Sequence, residues 1–103
     1  MTPEHKIMNE IRLWCGQNDI LCFRTNVGRV KLPNGYYFDT GLPEGFPDLL
    51  VLYNGTVYFA EVKTPTGKQR PDQINFMNIL RERGFIYEVV RSVDDVKRML
   101  NLI

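Results

Sequence analysis

Cysteine, histidine and tryptophan are scarce in this 103-residue sequence, with two, one and one of each. Cys15 and Cys22 have no Cys/His cluster beside them, so their spacing fits no structural zinc site, and two thiols are too few for a disulfide scaffold. They are expected as free thiols in a reducing compartment. Apolar residues never run close to the roughly 18 in a row that would cross a bilayer, and MTPEHKIMNE lacks the basic-then-apolar order of a secretory leader. The expectation is a soluble, intracellular protein with no membrane partner. Charge of either sign is not in excess: Lys and Arg total 13 against 12 for Asp and Glu, a formal charge of +1. That balance excludes a polybasic tail and leaves room for a local basic face.

What is present fits one compact domain spanning 1–103, with 44% hydrophobic and 24% charged residues. Thr2 and Pro3 read as N-cap and first residue of a helix running to about Gly16 or Asn18. Ile7, Ile11, Trp14 and Cys15 supply its apolar stripe, and Glu10 is expected on that same face. DILCFRTN reads as a strand with Ile20 and Cys22 on one side and Leu21 and Phe23 on the other. Residues 26–45 have no clean period and read as a long loop with room for a small hairpin at Asn34-Gly35. Asp48 to Tyr53 and Thr56 to Lys63 read as strands joined by Asn54-Gly55, a dipeptide suited to a type I′ turn. A helix is expected from Pro71 through Arg83, with Phe76, Met77 and Leu80 on its apolar face and Gly84 just past its end. FIYEVV reads as a strand. Ser92 and Asp95 then open a last helix with Val96, Met99, Leu100 and Ile103 as its apolar side. Trp14, Phe59 and Phe76 are expected in the core. This order implies an α/β fold, a small mixed β-sheet flanked by α-helices, because a parallel return between neighbouring strands needs a crossover.

Counting outward from Asn54-Gly55 pairs Leu50 with Phe59 and Asp48 with Glu61, and strand alternation puts Lys63 on the same face as Glu61. Opposed carboxylates repel one another. They are either solvated strand ends or, with Lys63 beside them, a site for Mg²⁺ or Mn²⁺, which take one or two carboxylates together with water and phosphate oxygens. Arg24, Arg29, Lys31, Lys68 and Arg70 flank this cluster in sequence and suit contact with a nucleic-acid backbone or with solvent. Tyr36-Tyr37-Phe38 suits stacking on an unpaired strand, packing on the core, or a subunit contact.

Gly45-Phe46-Pro47-Asp48 followed by Glu61-Val62-Lys63 resembles the PD-(D/E)xK signature of restriction-endonuclease-like nucleases. With Glu10 and Gln73 added, the chain resembles the VRR-Nuc domain family over nearly its whole length. The resemblance implies a restriction-endonuclease-like core and metal-dependent cleavage of DNA, with Asp48, Glu61 and the Val62 carbonyl as ligands and Lys63 as the catalytic lysine. It implies that Glu10 assists directly or through water and that Gln73 steadies the site or meets substrate. It further implies a homodimer acting on duplex or branched DNA such as four-way junctions, a module that binds without cutting being the alternative.

Overall fold

The computed structural model describes Met1 to Ile103. Helix α1 spans Pro3–Gln17, with Thr2 Oγ1 accepting the His5 N–H at 3.1 Å and proline in its first turn. Met8, Ile11 and Cys15, spaced three and four apart, are its buried residues. Edge strand β1 (Leu21–Arg24) follows. Residues 26–45, read from sequence as a loop, carry a small separate ribbon of β2 (Arg29–Lys31) and β3 (Tyr37–Asp39). Gly35, at φ +88°, sits in the turn between them, as the Asn34-Gly35 pair suggested.

The central hairpin is β4 (Leu49–Tyr53) and β5 (Thr56–Val62). Asn54 and Gly55 both have positive φ, 51° and 77°, as a type I′ turn requires. The register matches the count outward from that turn, with Leu50 opposite Phe59 and Leu49 opposite Ala60. Helix α2 (Pro71–Glu82) crosses over to β6 (Ile86–Val90), which pairs parallel to β5. The mixed sheet therefore runs β1-β4-β5-β6. Ser92 Oγ caps α3 (Val93–Met99) by accepting the Asp95 N–H, while the Asp95 carboxylate accepts the Arg91 N–H at 2.8 Å. The reciprocal bond thus lands one residue before the N-cap.

The core fills one face of the sheet. Leu49, Val51, Ala60, Val62 and Val90 meet Met8, Ile11 and Cys15 of α1 and Val96 and Leu100 at α3. Full burial of an aliphatic side chain of this kind is worth about 1.5–3 kcal/mol. On the opposite face α2 closes over a separate aromatic cluster, in which Phe46 meets Phe59 and Phe76 edge-on and Phe59 meets Phe85. Phe59 and Phe76 therefore belong to this second cluster instead of the main core, and Trp14 packs at the margin of the main one. Ile103 is exposed, because the helix ends at Leu100 and the chain turns away through Asn101 at φ 60°. No helix is long and apolar enough to cross a membrane.

Candidate active site

The site forms where β4 begins and β5 ends, on the α2 side of the sheet. Gly45 sets the approach. Its φ is +90°, and a Cβ there would lie 2.8 Å from the Asp72 carbonyl oxygen in the first turn of α2, so only glycine lets the chain pass this close. The buried Pro47 follows, and then Asp48. Thr25, just past β1, holds that segment from the other side. Its N–H donates to the Asp48 carbonyl at 2.9 Å and its hydroxyl to the Pro47 carbonyl.

The backbone ladder between β4 and β5 stops at Leu49 and Ala60, one pair short of the two acids. Beyond it the Asp48 side chain takes over, with Oδ2 accepting the Val62 N–H at 2.8 Å. Glu61 is fully buried on the opposite face from Ala60 and Val62. Its Oε1 accepts the Tyr87 hydroxyl at 3.1 Å, and its Oε2 is the one buried side-chain oxygen or nitrogen without a hydrogen-bond partner. Burial chiefly, and the neighbouring Asp48 carboxyl in addition, push the Glu61 carboxyl up to about 9, while Lys63 and Tyr87 pull the other way. In the metal-free protein at neutral pH, Glu61 therefore keeps its proton. Lys63 is buried, its backbone N–H donates to the Val90 carbonyl at 3.0 Å, and its ammonium forms no hydrogen bond or ion pair within the chain. Asp48 and Lys63 are thus both close enough to act on the Glu61 carboxyl, although the Asp48–Glu61 pair expected from the turn lies just beyond the end of the ladder.

Glu10 is not placed on the packed face of α1. It is exposed, whereas Met8 and Ile11 on either side of it in sequence are buried. At 100° per residue, Ile7 and Trp14 bound the apolar stripe instead of centring it, so spacing from these two carried Glu10 to the outer flank. The helical residues that share a pocket with Asp48 are Glu4, His5 and Met8. They line a pocket of about 290 Å³ with Arg24, Thr25, Asn26, Val27, Val30 and Asp48. The spacing of Glu4, Met8, Ile11 and Cys15 was the available signal for Glu4, which lies on the axis of the buried stripe.

Gln73 is buried, and its amide oxygen accepts the Arg70 N–H at 2.9 Å, closing the first turn of α2. Its amide nitrogen makes no hydrogen bond within the chain and is available beyond the cap. Arg91 fixes the segment after Lys63, donating to the carbonyls of Thr64 and Gly67. Of the basic residues, Arg24 reaches His5 Nε2 at 3.4 Å inside the pocket, and Arg29 lies over the Tyr37 ring at 4.9 Å. Lys31 and Lys68 are exposed and unpaired, and Arg70 pairs with Asp72 at 3.3 Å.

The donor set fits a hard divalent cation with few protein ligands. Two carboxylates adjoin, one of their oxygens is buried and unsatisfied, and a cation that keeps most of its own waters needs no more. No group of three or more His, Cys, Asp or Glu side chains converges anywhere in the chain, so these are not the ligands of a closed, all-protein cage.

A mixed sheet flanked by helices, with Pro-Asp entering one strand and Glu-x-Lys leaving the next, defines a restriction-endonuclease-like α/β domain. The VRR-NUC domain model matches residues 36–94, more than half of the 103 residues, and the chain belongs to that family, which is related to the PD-(D/E)xK superfamily. A solved structure described as a VRR_NUC domain superposes with a TM-score of 0.71 at 25% identity, covering 98% of this chain and 97% of that one. No curated protein matches significantly. The matched residues take in Asp48, Glu61, Lys63 and Gln73, while α1 lies before them.

Proposed function

We propose that this chain is a divalent-metal-dependent endonuclease hydrolysing DNA phosphodiester bonds, selective for branched DNA such as four-way junctions. The observation that carries this reading is the adjoining pair Asp48 and Glu61, with Glu61 Oε2 buried and unsatisfied and Lys63 close enough to act on Glu61. Asp48, Glu61 and the Val62 carbonyl would hold Mg²⁺ or Mn²⁺, with Glu4 standing in the adjoining pocket to assist directly or through water. Such an ion, when bound, supplies an activated water and neutralises negative charge on the phosphate. The Lys63 ammonium, uncommitted within the protein, donates to a phosphate oxygen and stabilises the charge that develops there. Gln73 keeps the start of α2 in place beside the Gly45 turn, and its amide nitrogen remains for the substrate.

The DNA backbone is held by Arg24 in the pocket, Arg29 and Lys31 on the ribbon, and Lys68 and Arg70 before α2. Such contacts position a duplex without reading its sequence. On the ribbon, Val30 opposes Phe38 and Lys31 opposes Tyr37. By alternation Val30, Leu32, Tyr36 and Phe38 share one exposed apolar face that begins at the Asp48 pocket, where it suits stacking on bases splayed at a branch. A homodimer would bring two sites to one junction. The uncharged surface of Leu21, Phe23 and Val57, beside the unpaired edge of β1, suits contact with a second copy.

The test is cleavage of linear duplex, flapped and four-way-junction DNA with Mg²⁺, Mn²⁺ or chelator, beside Asp48→Ala and Lys63→Ala proteins. Metal-dependent cutting lost in both variants is the expected result, and equal cutting by the variants overturns it. The lack of a third converging acid favours one other reading, a module of the same fold that binds DNA without cutting. Binding with no cleavage under any metal would establish it.

A further inference from the structure

Glu61 reaches the site at the end of β5, and nothing in the strand itself decides how its carboxyl group is turned. Tyr87 makes that choice. It is fully buried on β6, where the parallel register sets it beside Phe59, two residues before Glu61 on the same face. Its hydroxyl donates to Glu61 Oε1 at 3.1 Å and accepts from Gln69 Nε2 at 3.5 Å. Gln69, in the segment between β5 and α2, also sets its amide nitrogen 3.7 Å from Met77 Sδ, so the amide is held between α2 and the tyrosine. A phenol in this position gives its one proton to Glu61 and takes a hydrogen bond from Gln69, which uses its donor and an acceptor lone pair. The consequence for Glu61 is that Oε1 is engaged and Oε2 alone is left open.

We infer that Tyr87, held by Gln69, is a positioning residue for divalent-cation binding, pinning Glu61 Oε1 so that Oε2 is presented beside Asp48. This rests on the metal-site reading above. Partners that orient a ligating carboxylate are commonly worth 10- to 100-fold in metal affinity. Tyr87 is itself fully buried and acts through Glu61.

The experiment is Mn²⁺ binding to the full chain in the absence of DNA, followed by the electron paramagnetic resonance signal of free Mn²⁺, with metal-free melting curves in parallel. Proteins compared are wild type, Tyr87→Phe, Gln69→Leu, the double variant and Glu61→Gln. Tyr87→Phe keeps the ring and its packing, and the expected result is Mn²⁺ affinity weakened about tenfold or more in a protein that still melts cooperatively, at a temperature lowered only as far as one lost buried hydrogen bond requires. Gln69→Leu, which leaves the tyrosine in place, weakens binding in the same direction. The double variant is no worse than Tyr87→Phe, because the glutamine acts through the hydroxyl. Unchanged Mn²⁺ affinity in Tyr87→Phe overturns the inference while leaving the metal site standing, as does a lowered melting temperature with intact affinity, the mark of a purely structural tyrosine. Wild-type protein without saturable Mn²⁺ binding that Glu61→Gln removes takes away the metal site and the inference together.

Discussion

The Asp48 carboxylate accepts the backbone N–H of Val62 at 2.8 Å, the residue between Glu61 and Lys63. One side chain thus ends the β4–β5 ladder and fixes the strand that carries the other two site residues. Fold and site share this bond, so substitutions at Asp48 separate charge from structure. Asp48→Asn keeps an acceptor for Val62 and removes the charge facing Glu61, so the protein should fold at near wild-type stability and lose metal-dependent cleavage. Asp48→Ala strands the N–H and should cost about 1–3 kcal/mol as well, measured by urea unfolding of the two variants.

Glu61 makes the metal-free protein pH-sensitive. Its carboxyl is raised to about 9 in the fold from an ordinary value of 4.5, so between these values the native state holds a proton that the unfolded chain has released. Stability is therefore fully present below about pH 4.5 and falls as pH rises towards 9, by at most about 1.4 kcal/mol per pH unit. Urea midpoints in chelator from pH 5 to 9 should fall, and Glu61→Gln should flatten the profile. A flat wild-type profile would refute this assignment. Because the proton must leave before a cation binds, Mn²⁺ affinity should rise over the same range.

The two acids of α1 are expected to differ. Glu4 lines the pocket with Asp48 whereas Glu10 is exposed on the outer flank. Glu4→Gln should lower cleavage about 10- to 100-fold, as loss of a group supporting a metal site does. Glu10→Gln should leave cleavage unchanged, and the reverse ranking would return the role to Glu10.

Gly45 is the backbone device that lets Pro47 and Asp48 reach the sheet. Gly45→Ala combines a left-handed φ of +90° with a 2.8 Å approach to the Asp72 carbonyl. A loss of about 1–3 kcal/mol is expected. Cleavage should fall further than unfolding accounts for, because the helix holding Gln73 must shift. Activity measured well below the melting temperature checks this.

The basic residues are expected to act through phosphates. Arg29→Ala and Lys31→Ala should weaken binding alike on all sequences and reduce the slope of log affinity against log salt by about 0.9 for each phosphate that is no longer neutralised. A sequence-dependent effect would mean that these side chains read bases instead.

Much of this arrangement was legible in the chain because its signals are local. The Asn54-Gly55 turn sets strand register by itself, and register places Glu61 and Lys63 on one face whatever packs above them. Thr2-Pro3 and Ser92 mark helix starts through bonds to residues three further on. The ribbon of β2 and β3 was visible only as a glycine turn, since strands of three residues carry too little alternation to declare themselves. Glu10 was misplaced because spacing from Ile7 and Trp14 locates the edges of a stripe, and only packing against the sheet shows which residues lie at its centre.

The sequence by itself determined the pairing of the hairpin as far as Leu49 and Ala60, because a two-residue turn fixes the register of the strands it joins. Only the tertiary structure decided which acid of α1 shares a pocket with Asp48, that Tyr87, itself bonded to Gln69, engages one oxygen of Glu61, and that the other oxygen is left buried and unsatisfied. Those facts depend on how a helix and a parallel strand from distant parts of the chain pack against the hairpin, and no local pattern encodes that packing.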